Sequence, residues 1–169
     1  MKRSLIVVAA VALGVAGCGG MKTVTKTVTV RAGSKTGPGA PLELTQFGYI
    51  RSLDRKGGRF ELGFDPALLL SGTTAAHAKL EDTGSSDVPN DYYVVDEGHR
   101  VLTYVVPAGA HVTILERGVD ATRITVAQLA ELVHGRNPFH HRLFEPISTG
   151  FWLRTRIDTV KSLDQQYFP

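Results

Sequence analysis

The sequence predicts an α+β fold in which a small, mostly antiparallel sheet or a partly open β-barrel carries two or three short helices. Three observations predict this class. Short runs that alternate apolar and polar residues recur between residues 47 and 157, as is typical of half-buried strands. Turn-forming residues such as Gly57 and Gly58 separate these runs, which favours hairpins. One run with helical spacing follows Thr125.

The first predicted elements form a hairpin. Residues 47–53 are the first strand, and residues 59–64 place alternate apolar side chains on one face of the second. Asp65 followed by Pro66 is typical of an N-cap and a first helical position, so a short helix is expected over residues 67–71 and for a turn or two beyond. A polar loop follows this helix.

Further strands alternate with turns in the second half of the chain. They are expected at residues 92–95, 101–106, 111–115 and 151–157. Thr125 and Gln128 have the spacing of a capping box, which predicts the start of a helix, and Gly135 is typical of its end. In the tail, we expect Tyr167 and Phe168 to hold the chain end against the core.

Closure of the sheet is the expected architecture, because small β domains of this length tend to avoid free edges. An OB-like barrel fits this expectation best. Residues 49–54 are similar in pattern to residues 159–164, and chance over six residues accounts for this similarity. Pairing of the first and last strands is the alternative.

The N-terminus carries the sharpest signal. Lys2 and Arg3 precede an apolar stretch over residues 5–15 that is too short for a permanent membrane span and ends at Val-Ala-Gly-Cys18. This segment resembles the signal peptide and lipobox of bacterial lipoproteins. The resemblance implies that residues 1–17 are removed and that Cys18 is lipidated. An ordinary cleaved signal, the alternative, would leave a lone thiol in an oxidising compartment.

Residues 18–41 are expected to form a flexible stalk, because they are rich in Thr, Gly, Lys and Pro and contain no acidic residue. The basic residues of the stalk either contact anionic headgroups, at about 1 kcal/mol each, or keep it soluble. They are Lys22, Lys26, Arg31 and Lys35. A strand that docks onto the domain is a second interpretation of the stalk. Residues 42–169 are then the single globular domain.

Four strings in that domain are FGYIRSLD (residues 47–54), FDPA (64–67), NDYYVVDE (90–97) and SLDQQY (162–167). They resemble a family of secreted proteins and lipoproteins of actinobacteria. The resemblance would span most of residues 46–169. It supports the domain boundary and implies no activity.

Composition narrows the class of function. The formal net charge of the whole chain is +3, and removal of the signal takes Lys2 and Arg3 but no acidic residue. The argument for nucleic-acid binding is therefore lost, and an apolar content of 43% suffices for a core without disulfides. No cofactor is expected.

Two sets of side chains are candidates for a binding surface. Tyr93 and Trp152 each follow another aromatic residue on a predicted strand, so they are expected to face away from the core and contact a sugar or a peptide. His140 and His141 lie in a loop with Arg136 and Arg142, which is compatible with an anion or headgroup patch and equally with a metal site. An ordinary core role and an exposed polar loop are the alternatives.

A divalent cation is the weaker candidate. Asp87, Asp91 and Asp96 place hard oxygen donors close together in sequence, as Ca²⁺ prefers, but their spacing does not match an EF-hand loop. A solvated acidic loop explains the same residues.

The sequence contains no G-x-S-x-G, H-E-x-x-H or P-loop motif, so a non-catalytic binding or interaction module is expected. We place it on the extracytoplasmic face of the cell membrane, with an envelope protein or a glycan as its partner. The alternative is a cell-envelope hydrolase of glycan or peptide, which requires a deep cleft with two carboxylates or a carboxylate and a histidine.

Overall fold

The computed structural model describes residues 42–96, 98 and 101–169. The predicted signal peptide, Cys18 and the stalk lie outside these residues. The described elements are β1 (Glu43–Lys56), β2 (Arg59–Ser71), α1 (Gly72–Thr83), β3 (Tyr92–Val95), β4 (Leu102–Pro107), β5 (His111–Ile114), β6 (Thr122–Ile124), α2 (Val126–Val133), a 3₁₀ turn (Ile147–Thr149), β7 (Phe151–Arg156) and β8 (Thr159–Gln165).

Five of the strands close into a barrel. β1 pairs antiparallel with β2 on one side and with β7 on the other, and β2 pairs antiparallel with β4. β8 pairs antiparallel with β7 and completes the ring through a parallel pairing with β4, where Val105 is opposite Thr159. The predicted α+β class with a barrel-like, mostly antiparallel sheet is confirmed, but the ring is closed and not partly open, because β8 pairs with both β4 and β7.

The other strands extend the sheet beyond the ring. β3 pairs with the last four residues of β2. β5 of the β5–β6 hairpin pairs in parallel with residues 162–164 of β8, beyond the point where β8 meets β4. Residues 72–96, which contain α1 and β3, are called the insertion below, because they separate two neighbouring strands of the barrel.

The core fills the barrel and the space under α2. Its fully buried side chains are contributed by alternate residues of the strands and by the inner face of α2, among them Leu53, Leu62, Phe64, Val106, Ile114, Leu129, Phe151, Leu153, Val160 and Leu163. The predicted capping box is confirmed, since the Thr125 hydroxyl accepts a hydrogen bond from the Gln128 amide and the Gln128 side chain accepts one from Thr125. Gly135 has φ 75° directly after α2.

His134 joins the end of α2 to the end of β1. Its Nδ1 lies 2.6 Å from the Ala130 carbonyl and its Nε2 lies 3.1 Å from Asp54 Oδ1. This contact holds α2 against the end of β1.

The helix predicted over residues 67–71 is wrong, because β2 continues to Ser71 and the helix begins at Gly72. Asp65 is held by Arg51 and does not cap a helix. Pro66 lies between the part of β2 that pairs with β4 and the part that pairs with β3. The missing proline N–H is tolerated where a ladder is interrupted.

Residues 159–165 form a strand that pairs with β4, β5 and β7 but not with β1, so residues 49–54 and 159–164 do not pair. The strand β6 was not predicted. Ile157, expected within the last strand, is instead 74% exposed in the β7–β8 turn, with φ 56°. A left-handed conformation of this kind costs an L-residue about 1–2 kcal/mol.

Candidate functional site

Five aromatic rings form a second cluster, separate from the barrel core. Phe47 lies at its centre, with its ring centroid 5.5 Å from that of Trp152 and 5.8 Å from that of Tyr49, both edge-to-face. Phe168 from the C-terminal tail lies 6.1 Å from Phe47 and 4.7 Å from Tyr92 of β3. We call these five residues the aromatic cluster. Phe47 is 2% exposed, and the other four rings are partly exposed.

Strand alternation places the aromatic cluster on the outer wall of the barrel. Gly48 is opposite Phe151, and Phe151 points into the core. The neighbouring pair, Phe47 opposite Trp152, therefore faces outward, because successive side chains point to opposite faces of a strand. The expectation that Trp152 faces away from the core agrees with this register.

The C-terminal tail lies along this wall. The Trp152 indole N–H donates to the side-chain oxygen of Gln166 over 2.7 Å, and the backbone N–H of Gln166 donates to the Gly150 carbonyl over 3.0 Å. The Asn90 side chain donates to the carbonyl of Pro169 over 3.0 Å. The tail thus joins the barrel wall to the insertion. The expected packing of Phe168 is seen, whereas Tyr167 is more exposed and contacts Phe144.

One glycine permits the close packing around Phe47. A Cβ on Gly150 would lie 2.5 Å from the Phe47 ring, and its φ of 111° disfavours other residues. A Cβ on Gly48 would overlap the Asp65 carbonyl oxygen, so that glycine permits the close approach of β1 to β2. The aromatic cluster therefore depends on Gly150.

A charged group borders the aromatic cluster where β1 bulges. The register between β1 and β2 shifts at Arg51, whose Nε lies 2.8 Å from Asp65 Oδ2. Asp65 is only 5% exposed, and its other carboxylate oxygen is buried without a hydrogen-bond partner. Asp96 at the end of β3 lies 3.9 Å from Arg51, whose guanidinium carbon lies 5.6 Å from the centroid of the Tyr49 ring.

The surroundings of Tyr49 favour its neutral phenol. Burial raises the pKa of Tyr49 above its usual 10.0, and the charges of Asp96 and Asp65 raise it further. Arg51 acts in the opposite direction but does not cancel these effects. The phenol is therefore a hydrogen-bond donor over the physiological pH range.

Tyr93 lies apart from the aromatic cluster. It is half-buried on β3 opposite Leu70, and its neighbour Tyr92 contacts Phe168. Consecutive residues of a strand face opposite sides, so Tyr93 and Trp152 do not share one surface. Burial, together with Asp82, raises the pKa of Tyr93.

The predicted histidines lie in the loop between α2 and β7. The carboxylate of Glu116 is only 8% exposed, and His141 Nε2 lies 3.1 Å from it. This contact meets the distance of an ion pair but not the angles of a hydrogen bond. The His141 carbonyl accepts a hydrogen bond from Asn137, which fixes the loop. His140 is exposed. The structure therefore joins His141 to Glu116 beside β5 and not to Trp152.

The predicted acidic residues do not converge. Asp91 precedes the four-residue β3 and Asp96 follows it, so the length of a strand of about 13 Å separates them. The backbone carbonyl of Asp87 accepts a hydrogen bond from Lys79. Within the described part of the chain, no three or more His, Cys, Asp or Glu side chains are grouped so that they could hold a metal ion.

The cavity found among the described residues is an open pocket of about 220 Å³ on the insertion. It is lined by Thr73, Ala76, His77, Leu80 and Ser86, and none of these is a carboxylate.

Sequence reasoning missed Phe47, Arg51 and Asp65 as a connected group. The available signal was the alternation of Phe47, Tyr49 and Arg51 ahead of a glycine-containing hairpin.

Comparison with protein-family models, curated proteins and solved structures finds no match for this chain. Across residues 42–96 and 101–169, neither helix has the length and apolar character that a bilayer crossing requires.

Proposed function

We propose that this protein is an extracytoplasmic lipoprotein, anchored by lipid at Cys18, whose barrel domain binds a partner without catalysing a reaction. The aromatic cluster is the observation that carries the proposal. Its partly exposed rings lie outside the barrel core, next to the ion pair between the exposed Arg51 and the buried Asp65. Aromatic rings beside a few fixed polar groups are the usual lining of a site for a sugar or a peptide.

The topology supports an OB-like barrel. Its strands follow one another in the ring as β1, β2, β4, β8 and β7, so that the third and fifth strands in chain order are the parallel pair. α2 lies between the third and fourth barrel strands. Barrels of this type bind ligands on the face of their second and third strands and in adjoining loops, and those strands here are β2 and β4. Tyr49 and Trp152 lie on the first and fourth strands, β1 and β7, so the aromatic cluster and not the barrel type carries the proposal.

Charge distribution favours a partner that is not anionic. All sixteen acidic residues lie within residues 42–169, together with only thirteen of the nineteen Lys and Arg residues. The sequence of the insertion contains five carboxylates and a single lysine, Lys79. A polyanion such as nucleic acid would be repelled by this domain, whereas a neutral glycan or a basic protein segment would not.

The anchor is tested by the mass of the protein extracted from its native membrane. Attached fatty chains on an N-terminal Cys18 are expected, and Cys18→Ser should appear in the soluble fraction with an unprocessed or unlipidated N-terminus. An unmodified Cys18 in membrane-extracted protein would contradict this part of the proposal.

The binding wall is tested by photo-crosslinking on the anchored protein in its native envelope. A photoreactive phenylalanine analogue replaces Tyr49 or Trp152 in turn, and Val119, which is 57% exposed in the β5–β6 turn, as the matched control. We expect one defined adduct from both wall positions and none from position 119. The same adduct from all three positions, or from the control alone, contradicts a site on this wall.

A further inference from the structure

Three exposed apolar side chains lie at the end of the sheet where the described chain begins. Leu42 is 82% exposed, Leu44 51% and Ile157 74%. Leu44 is opposite Thr155, and the preceding residue of β1, Glu43, is opposite Arg156. This register places Leu42 beside the β7–β8 turn that contains Ile157. We call Leu42, Leu44 and Ile157 the tip patch.

Ile157 does not serve the fold at this position. It is the first residue of a two-residue turn between Arg156 and Thr159, and its φ of 56° suits glycine or asparagine. A β-branched side chain is strained there, and with 74% of its surface in water it gains little from packing. Strained residues that the surrounding fold does not reward are often found at binding sites.

Basic side chains lie at the same end of the sheet as the tip patch, on the other face of β7 from the one that Leu44 shares with the buried Thr155. Arg154 and Arg156 are exposed on the outer face of β7, and Lys161 is the additional residue where β8 bulges opposite it. Among the ion pairs of residues 42–96 and 101–169, none includes these three residues. Two carboxylates, Glu43 and Asp158, also lie here, so the local excess is one positive charge within a domain that is acidic overall.

We propose that the tip patch docks on the phospholipid surface, an inference that rests on the lipid anchor proposed above. Apolar side chains next to Arg and Lys are the composition that binds the headgroup region of a bilayer. The tether between Cys18 and Leu42 reaches at most about 80 Å when fully extended, so the membrane stays within range of the patch.

The proposal is tested with unlipidated protein, so that the anchor makes no contribution. The chain from residue 18 onward, carrying Cys18→Ser and its complete tether, is mixed with phosphatidylcholine vesicles with and without phosphatidylglycerol, and partition is measured by sedimentation. Ile157→Gly should bind about tenfold more weakly, equivalent to about 1.4 kcal/mol, because the apolar side chain is lost. The same variant should unfold at a higher urea concentration, because the turn is relieved of strain.

Three controls separate docking from a structural effect. Ile157→Leu keeps both the apolar side chain and the strain, and should bind as the parent does. Val119→Asn removes an exposed apolar residue near the opposite end of β8 and should leave binding unchanged. Arg156→Gln should weaken binding about fivefold only when phosphatidylglycerol is present, whereas Arg123→Gln on β6 should not.

Loss of binding together with a gain in stability in Ile157→Gly supports the tip patch. Unchanged binding in that variant, an equal loss in Val119→Asn, or no binding by the parent protein overturns it. Because every protein in this assay carries Cys18→Ser, a missing lipid on native Cys18 would contradict the anchor and leave the vesicle result intact.

Discussion

Phe47 is expected to be one of the most costly positions to truncate outside the barrel core. It is 2% exposed and contacts the rings of Tyr49, Trp152 and Phe168. Removing a buried phenylalanine side chain costs about 3–5 kcal/mol, which includes the cavity that remains. Each aromatic contact adds about 0.5–1.5 kcal/mol beyond area burial, so we expect Phe47→Ala to fall in the upper half of that range. A domain of this kind is stable by only about 5–15 kcal/mol.

Urea unfolding measures this loss directly. Trp152 is the chain's one tryptophan and lies against Phe47, so its fluorescence reports on the aromatic cluster, while far-UV circular dichroism reports on the barrel. Coincident transitions by the two probes would show that cluster and barrel unfold together. Phe47→Leu should cost less than Phe47→Ala, because part of the apolar volume remains.

The matched control is Phe144→Ala. This ring is 47% exposed and has one aromatic neighbour, Tyr167, so its loss should cost less than about 1 kcal/mol. A cost for Phe47→Ala below about 1.5 kcal/mol would refute the reasoning, because that value belongs to a half-exposed ring and not to the centre of a packed cluster.

Three other perturbations have defined outcomes. The pKa of Tyr49 is raised in the folded state, so its contribution to stability is present below pH 10.0 and is lost as the pH rises through the folded pKa. Tyr49→Phe should therefore reduce the loss of stability at alkaline pH, measured as urea midpoints over a pH series. An unchanged pH dependence in this variant would contradict the prediction. Thr125→Ala should cost about 1 kcal/mol by thermal unfolding, since the capping box is lost, and a neutral result would show that the cap is dispensable. Gly150→Ala should cost about 2–5 kcal/mol, because its φ of 111° and the contact with Phe47 act together, and a stable variant would contradict the packing described here.

Local patterns predicted the elements that depend on local physics. The hairpin formed by β1 and β2 follows from alternation on both sides of Gly57 and Gly58, and α2 follows from the spacing of Thr125 and Gln128. Both depend on residues close together in sequence. Alternation also separated inward Phe151 from outward Trp152, which is one of the five residues of the aromatic cluster.

Other parts of the structure depend on partners that are distant in sequence. Asp65 and Pro66 have the pattern of a helix start, but a salt bridge to Arg51 and pairing of the following residues with β3 keep the chain extended. Local propensity is overridden when two neighbouring strands are available on either side. The pairing of β4 with β8 joins residues more than fifty positions apart, so no local pattern predicts it.

The same limit applies to the candidate site. The contact between Phe47 and Phe168 depends on where the tail runs, and the separation of Tyr93 from Trp152 depends on which face of β3 meets that tail. The binding role of Tyr93, Trp152, His140 and His141 stays a prediction, as does lipidation of Cys18.

The closing position of β8 has a consequence for biogenesis. A chain that emerges N-terminus first from a ribosome or a translocation pore can form its opening hairpin early, but the ring stays open until its final segment, Thr159–Gln165, has been released. Until then the edges of β4 and β7 are unpaired and prone to association with other chains. Protection by chaperones is therefore expected to matter most in the interval between the release of β7 and the release of β8.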